Sequence, residues 1–133
     1  MSNLVGKWKH VRSENFNEYL IANNVNFVLR SMMTSMTPTL DIQQTGDEFV
    51  IRTITMLKTR EQKFTIGKEF EEVHWGGDTK KSIATMEDDK LVVKSADDPE
   101  NNPIIEREVI GDELVMTLRK GDVTAKRYFK KIE

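Results

Sequence analysis

The sequence contains no cysteine. That excludes a disulfide framework and thiolate chemistry, and it suits a reducing compartment. Histidine is scarce too, with only His10 and His74, so no cluster has the spacing of a metal site. No Gly-rich phosphate loop and no nucleophile motif occurs. Glu71 and Glu72 are adjacent in a strand-like stretch, which sends them to opposite faces and makes them a poor acid/base pair. No segment approaches the roughly 20 apolar residues needed to span a bilayer, and Met1 to Trp8 lacks the apolar run of a signal peptide. An excess of one charge is also missing: 20 basic against 22 acidic residues leave a net charge of −2, which argues against nucleic-acid binding. These absences predict a cytoplasmic, monomeric, non-enzymatic protein without a cofactor, built as a single domain over residues 1–133.

What is present reads as a sheet with a small helical insert. Leu4 to Arg12 has the pattern of a first strand. Asn15 and Glu18 have the spacing of a capping box, with Phe16, Tyr19 and Leu20 on one helical face behind it. Asn23-Asn24 supplies a left-handed stop, and Asn26 caps a second helix over Phe27 to Ser35 that Pro38 prevents from continuing. From Thr39 the period changes to two, broken by turn signals such as Gly46-Asp47, Gly67-Lys68, Asp88-Asp89, Gly111-Asp112 and Gly121-Asp122. About ten short strands joined by short turns predict an all-β, antiparallel, up-and-down barrel, with the two helices capping one end.

The inward face of that barrel is too polar for a dry core. In the last three strands, alternation puts Ile105, Arg107 and Val109, then Leu114, Met116 and Leu118, then Val123, Ala125, Arg127 and Phe129 on one face. Thr53, Gln62, Glu72, His74, Ser82 and Ser95 share that face with Phe49, Ile51, Phe64 and other apolar residues. Buried polar groups need partners, and a buried guanidinium needs pairing or hydration. One inward arginine alone is explained as well by an ion pair with Glu72; two exceed what a single glutamate neutralises. Arginine's donor fork matches a carboxylate. Two forks in an apolar, methionine-lined and water-containing cavity therefore predict a site for an acid with a long apolar tail. Arg30, Lys58 and Arg60 place basic charge near one end, which raises transient contact with anionic membranes as a further expectation.

Gly6-Lys7-Trp8-Lys9, Ser13 to Leu20, Pro38-Thr39, Gly46-Asp47, Phe64 to Glu72, Ile105-Glu106-Arg107-Glu108 and Gly121 to Thr124 together resemble the cytoplasmic fatty-acid-binding proteins over the whole chain, most of all the heart, adipocyte and myelin branch and its flatworm relatives. The resemblance implies a clam-shaped antiparallel barrel of about ten strands with a helix-turn-helix lid after the first. It implies an intracellular carrier of long-chain fatty acid, or alternatively of a retinoid or another hydrophobic carboxylate. That branch holds the carboxylate with two arginines and a tyrosine. The arginines correspond to Arg107 and Arg127, whereas Phe129 stands where the tyrosine is usual, and Tyr128 is one residue off and should face outward. The chain-binding positions implied are Phe16, Tyr19, Leu20, Val25, Met33, Thr53, Leu57, Trp75 and Met116. His10 replaces a usual aliphatic residue and should face inward.

Overall fold

The computed structural model describes residues 2–73 and 78–133. Its described residues form β1 (Gly6–Glu14), α1 (Phe16–Ala22), α2 (Phe27–Ser35), β2 (Thr39–Thr45), β3 (Glu48–Ile54), β4 (Thr59–Thr65), β5 (Glu69–Val73), β6 (Thr79–Glu87), β7 (Lys90–Ser95), β8 (Ile104–Ile110), β9 (Glu113–Lys120) and β10 (Val123–Lys131). The strands make one antiparallel sheet in the order β4-β3-β2-β1-β10-β9-β8-β7-β6-β5. Consecutive strands pair throughout except β4 and β5, and β1 closes the meander by pairing with both β2 and β10. The turns are made by residues that accept positive φ, including the Asp88-Asp89 pair between β6 and β7 at φ 52° and 67°.

The two edge strands, β4 and β5, face each other without pairing, and side chains fill the seam between them. The Arg60 guanidinium donates to the Val73 carbonyl and the Gln62 amide to the Glu72 carboxylate. The Phe64 and Phe70 rings stack at 5.0 Å. Among the described residues the barrel is thus closed by strand pairing except along this one seam.

The interior has two apolar layers. The larger gathers Trp8, Leu40, Ile42, Phe49, Ile51, Phe64, Leu91, Leu114 and Phe129. The second lies under α1, where Phe16, Tyr19 and Leu20 pack with Val25, Leu118 and Ala125. By contrast α2 buries no residue fully, and only Leu29 and Met33 reach this second layer.

Two local expectations change. The first strand starts at Gly6, because the Leu4 carbonyl is taken by the Trp8 indole N–H at 2.9 Å in a turn that precedes it. Asn15 does not form a capping box. It adopts φ 59°, and its amide donates to the Thr124 carbonyl on β10 at 3.0 Å, tying the start of α1 to the barrel wall. The expected left-handed stop is made by Asn24 at φ 60°. Asn26 caps α2 as expected, accepting from the Leu29 N–H at 3.0 Å.

Candidate functional site

Strand register builds the site. Arg107 on β8 pairs with Met116 on β9, Met116 pairs with Arg127 on β10, and Arg127 pairs with Ser13 on β1. One row across four strands therefore reads Arg-Met-Arg-Ser. The row on one side of it is Val109, Leu114, Phe129 and His10, part of the larger apolar layer. The row on the other side is Ile105, Leu118 and Ala125, under α1. A cationic belt is thus clamped between two apolar layers, with Met116 touching both.

Ser13 reaches that row through a β-bulge. The pairing of β1 with β10 shifts between His10, opposite Phe129, and Arg12, opposite Tyr128. Strict alternation from Trp8 and His10 sends Arg12 inward. The extra residue, Val11, reverses this, so Arg12 faces out and Ser13 falls on the face of Arg127, where it remains exposed to solvent. Arg12 lies over the Tyr128 ring at 4.0 Å and forks onto Glu113 at 2.7 and 3.0 Å. Tyr128 faces outward, as its register requires.

Arg127 is 9% exposed and Arg107 5%. Burial pushes the pKa of each down to about 10, and for Arg107 the field of Glu72 works against that fall. Both remain cations at neutral pH. Arg127 donates from Nε to Ser13 Oγ at 3.1 Å, and the Phe16 ring covers its flat face at 4.1 Å. Among the described residues no carboxylate forms an ion pair with Arg127, and Nη1 and Nη2 have no hydrogen-bond partner. Nε of Arg107 is buried without a partner among the described residues. Ser13 Oγ lies 2.7 Å from His10 Nε2, and the His10 ring meets Phe129 edge-on at 5.5 Å.

A second polar group lies toward the seam. Glu72 accepts from Gln62 and, at 2.9 Å, from Ser82. Glu72 and Ser82 border a pocket of about 60 Å³ lined also by Tyr19, Arg60, Ser95, Asn102 and Ile105. Val73, Val93 and Ile105 give it apolar wall beside the Glu72 and Ser82 groups.

The remaining predicted site residues divide. Phe16, Tyr19, Leu20 and Val25 are buried beside Leu118 and Ala125, and Met33 packs on them from α2. Thr53 is partly buried on β3, on the face of Phe49 and Ile51. Leu57 does not join them: the turn before β4 is closed by the Thr55 N–H and hydroxyl donating to the Lys58 carbonyl at 3.0 Å each, and Leu57 at its tip is 65% exposed. Met56, Phe27 and Val28 are exposed as well. Trp75 and His74 lie outside the described residues. Ser13 is the site residue that alternation misses, since no local signal marks the bulge. No helix among the described residues is long and apolar enough to cross a membrane.

Comparison with known proteins agrees with this architecture. A cellular retinoic acid-binding protein 1 from Hippocampus comes is 40% identical over 134 residues, covering 97% of this chain and 98% of that protein. A fatty acid-binding protein from Clonorchis sinensis is 34% identical over 132 residues, covering 98% of this chain and 99% of that protein. The solved Schistosoma mansoni fatty acid binding protein in complex with arachidonic acid superposes with a TM-score of 0.90 at 34% identity, covering 100% of this chain and 98% of that one. The sequence profile of the lipocalin / cytosolic fatty-acid binding protein family matches residues 5–132, and this chain belongs to that family.

Proposed function

We propose that the protein is an intracellular carrier that binds a long-chain fatty acid non-catalytically, with the carboxylate on Arg127 and Arg107 and the chain among the inward apolar residues. The observation that carries this reading is Arg127: a buried cation whose Nη fork faces no carboxylate among the described residues. Burying an ion costs several kcal/mol unless a counter-charge compensates, and a planar fork selects a carboxylate. The apolar layers on either side supply contact for a tail. Methionines facing the interior, Met33, Met86 and Met116, can repack around it. The relatives named for fatty acids support the same ligand class.

A retinoid is the second reading. The relative at 40% identity is named for retinoic acid, which offers the same carboxylate on a stiffer apolar body. One experiment addresses both. Fatty acids, retinoic acid and the matching alcohols are titrated against the protein and Arg127→Gln. Loss of the fork is expected to weaken the acids by on the order of 2–5 kcal/mol and the alcohols far less. Equal losses for acid and alcohol would give Arg127 a structural role only. The acid with the lower Kd identifies the ligand class.

A further inference from the structure

His10 and Ser13 form a chain that ends on the head-group arginine. Arginine Nε–H can only donate, so Ser13 Oγ is the acceptor at 3.1 Å. The Ser13 hydroxyl hydrogen is then available to His10 Nε2, 2.7 Å away. That arrangement puts the proton of the neutral ring on Nδ1, which is buried. The ring itself is fixed edge-on against Phe129, the residue that lacks the hydroxyl usual at its position.

We propose that Ser13 and His10 are a positioning relay for Arg127. They tether Nε, while Phe16 covers the flat face, so that only the Nη1/Nη2 end of the guanidinium is presented to a carboxylate. This inference rests on the reading of Arg127 as the carboxylate ligand. An arginine can receive a carboxylate side-on, through Nε and one Nη, or end-on, through both Nη groups. Ser13 already occupies Nε, so the end-on mode is selected.

The relay also makes binding sensitive to protons. Burial, then the charge of Arg127 on β10, hold the His10 pKa below its usual 6.5, with Lys9 on its own strand adding to the effect and the Arg12 backbone opposing it. A carboxylate arriving on Arg127 cancels part of that positive field and raises the His10 pKa. Bound ligand then favours the protonated ring, so affinity for the acid rises as pH falls through the ligand-bound pKa. It levels off below the free-protein pKa. An alcohol, lacking charge, shows no such slope.

The test measures a long-chain fatty acid and its alcohol against wild type, Ser13→Ala, His10→Val and Arg127→Gln from about pH 5.5 to 8.5, a window in which the carboxylate stays ionised and histidine titrates. Ser13→Ala and His10→Val are expected to weaken the acid by about two- to tenfold, the worth of one hydrogen bond, and to leave the alcohol within twofold. His10→Val is expected to flatten the pH slope of the acid. Alcohol binding reports an intact fold in each variant. If His10→Val loses the fold, His10→Gln keeps a polar partner for Ser13 without a titrating ring, and must bind the acid without the slope. Wild-type acid affinity in Ser13→Ala and His10→Val, with acid preference lost only in Arg127→Gln, overturns the relay alone. Acid preference surviving Arg127→Gln overturns the head-group reading and the relay with it.

Discussion

A lysine buried as Arg127 is could shed its proton and become neutral. An arginine cannot do so at neutral pH, even with its pKa pushed down to about 10. The charge therefore persists between two apolar layers, and what answers it decides what the protein binds. Phe129, two residues on and on the same face, is 1% exposed and contributes ring but no donor. Phe129→Tyr would add a neutral hydroxyl to this wall. Where that hydroxyl reaches the carboxylate, fatty-acid affinity is expected to tighten by about 0.5–1.5 kcal/mol, with uncharged analogues unchanged. Without ligand the same hydroxyl is buried and unanswered, so the free variant is expected to lose about 1–3 kcal/mol of stability. Calorimetric titration reads the first effect and urea unfolding the second. Abolished fatty-acid binding in a folded variant would mean the head group occupies the space the hydroxyl needs. The two arginines were legible because β8 and β10 carry no bulge, so period-two counting assigns Arg107 and Arg127 to the interior without error. Ser13 was not legible, because Val11 breaks that count in β1.

At the scale of elements, the contrast between the two helices follows from their caps. The start and stop of α2 were readable because Asn26 accepts from the Leu29 N–H and Pro38 bars continuation. The start of α1 behind Asn15 was readable too, but not the job of its side chain, which is spent on the Thr124 carbonyl of β10, a contact that long-range folding creates and local spacing cannot show. The two asparagines should then respond differently to substitution. Asn26→Ala removes a local cap from a helix that buries no residue fully, and is expected to cost about 1 kcal/mol. Asn15→Ala removes a tie to the barrel and places a Cβ-bearing residue without a polar side chain at φ 59°, a conformation that costs roughly 1–2 kcal/mol by itself. Asn15→Gly relieves the backbone but not the lost tie, so it should fall between wild type and Asn15→Ala. Urea midpoints rank the three. Asn15→Gly matching wild type would show that the Thr124 contact contributes nothing.

At the scale of the whole molecule, affinity has to come from the tail rather than the head. The carboxylate exchanges one hydration shell for another, whereas each buried methylene is worth roughly 0.8 kcal/mol before costs. A chain of about 16 carbons therefore offers on the order of 12 kcal/mol gross, and the freedom lost on binding removes a large share of it. A Kd between nanomolar and micromolar, about −12 to −8 kcal/mol, is the expected net. The architecture sets how that gain is collected. With the head held on the arginine belt as proposed, a longer acid extends along apolar wall such as Ile51, Phe49 and Phe64, or toward Tyr19 and Leu20 under α1. Among the described residues the seam between β4 and β5 lacks a backbone ladder, and side chains hold the edges together there. Walls that can yield there accept added methylenes until the packed layers stop them. Affinity should thus rise steadily across saturated acids of about 10 to 18 carbons and then flatten, with a slope below the full per-methylene value because displaced side chains take back part of each gain. Titration of the series by displacement of a fluorescent acid reads the slope directly. Equal affinity at every length would leave the head group as the only contact and remove the interior as the site of the chain.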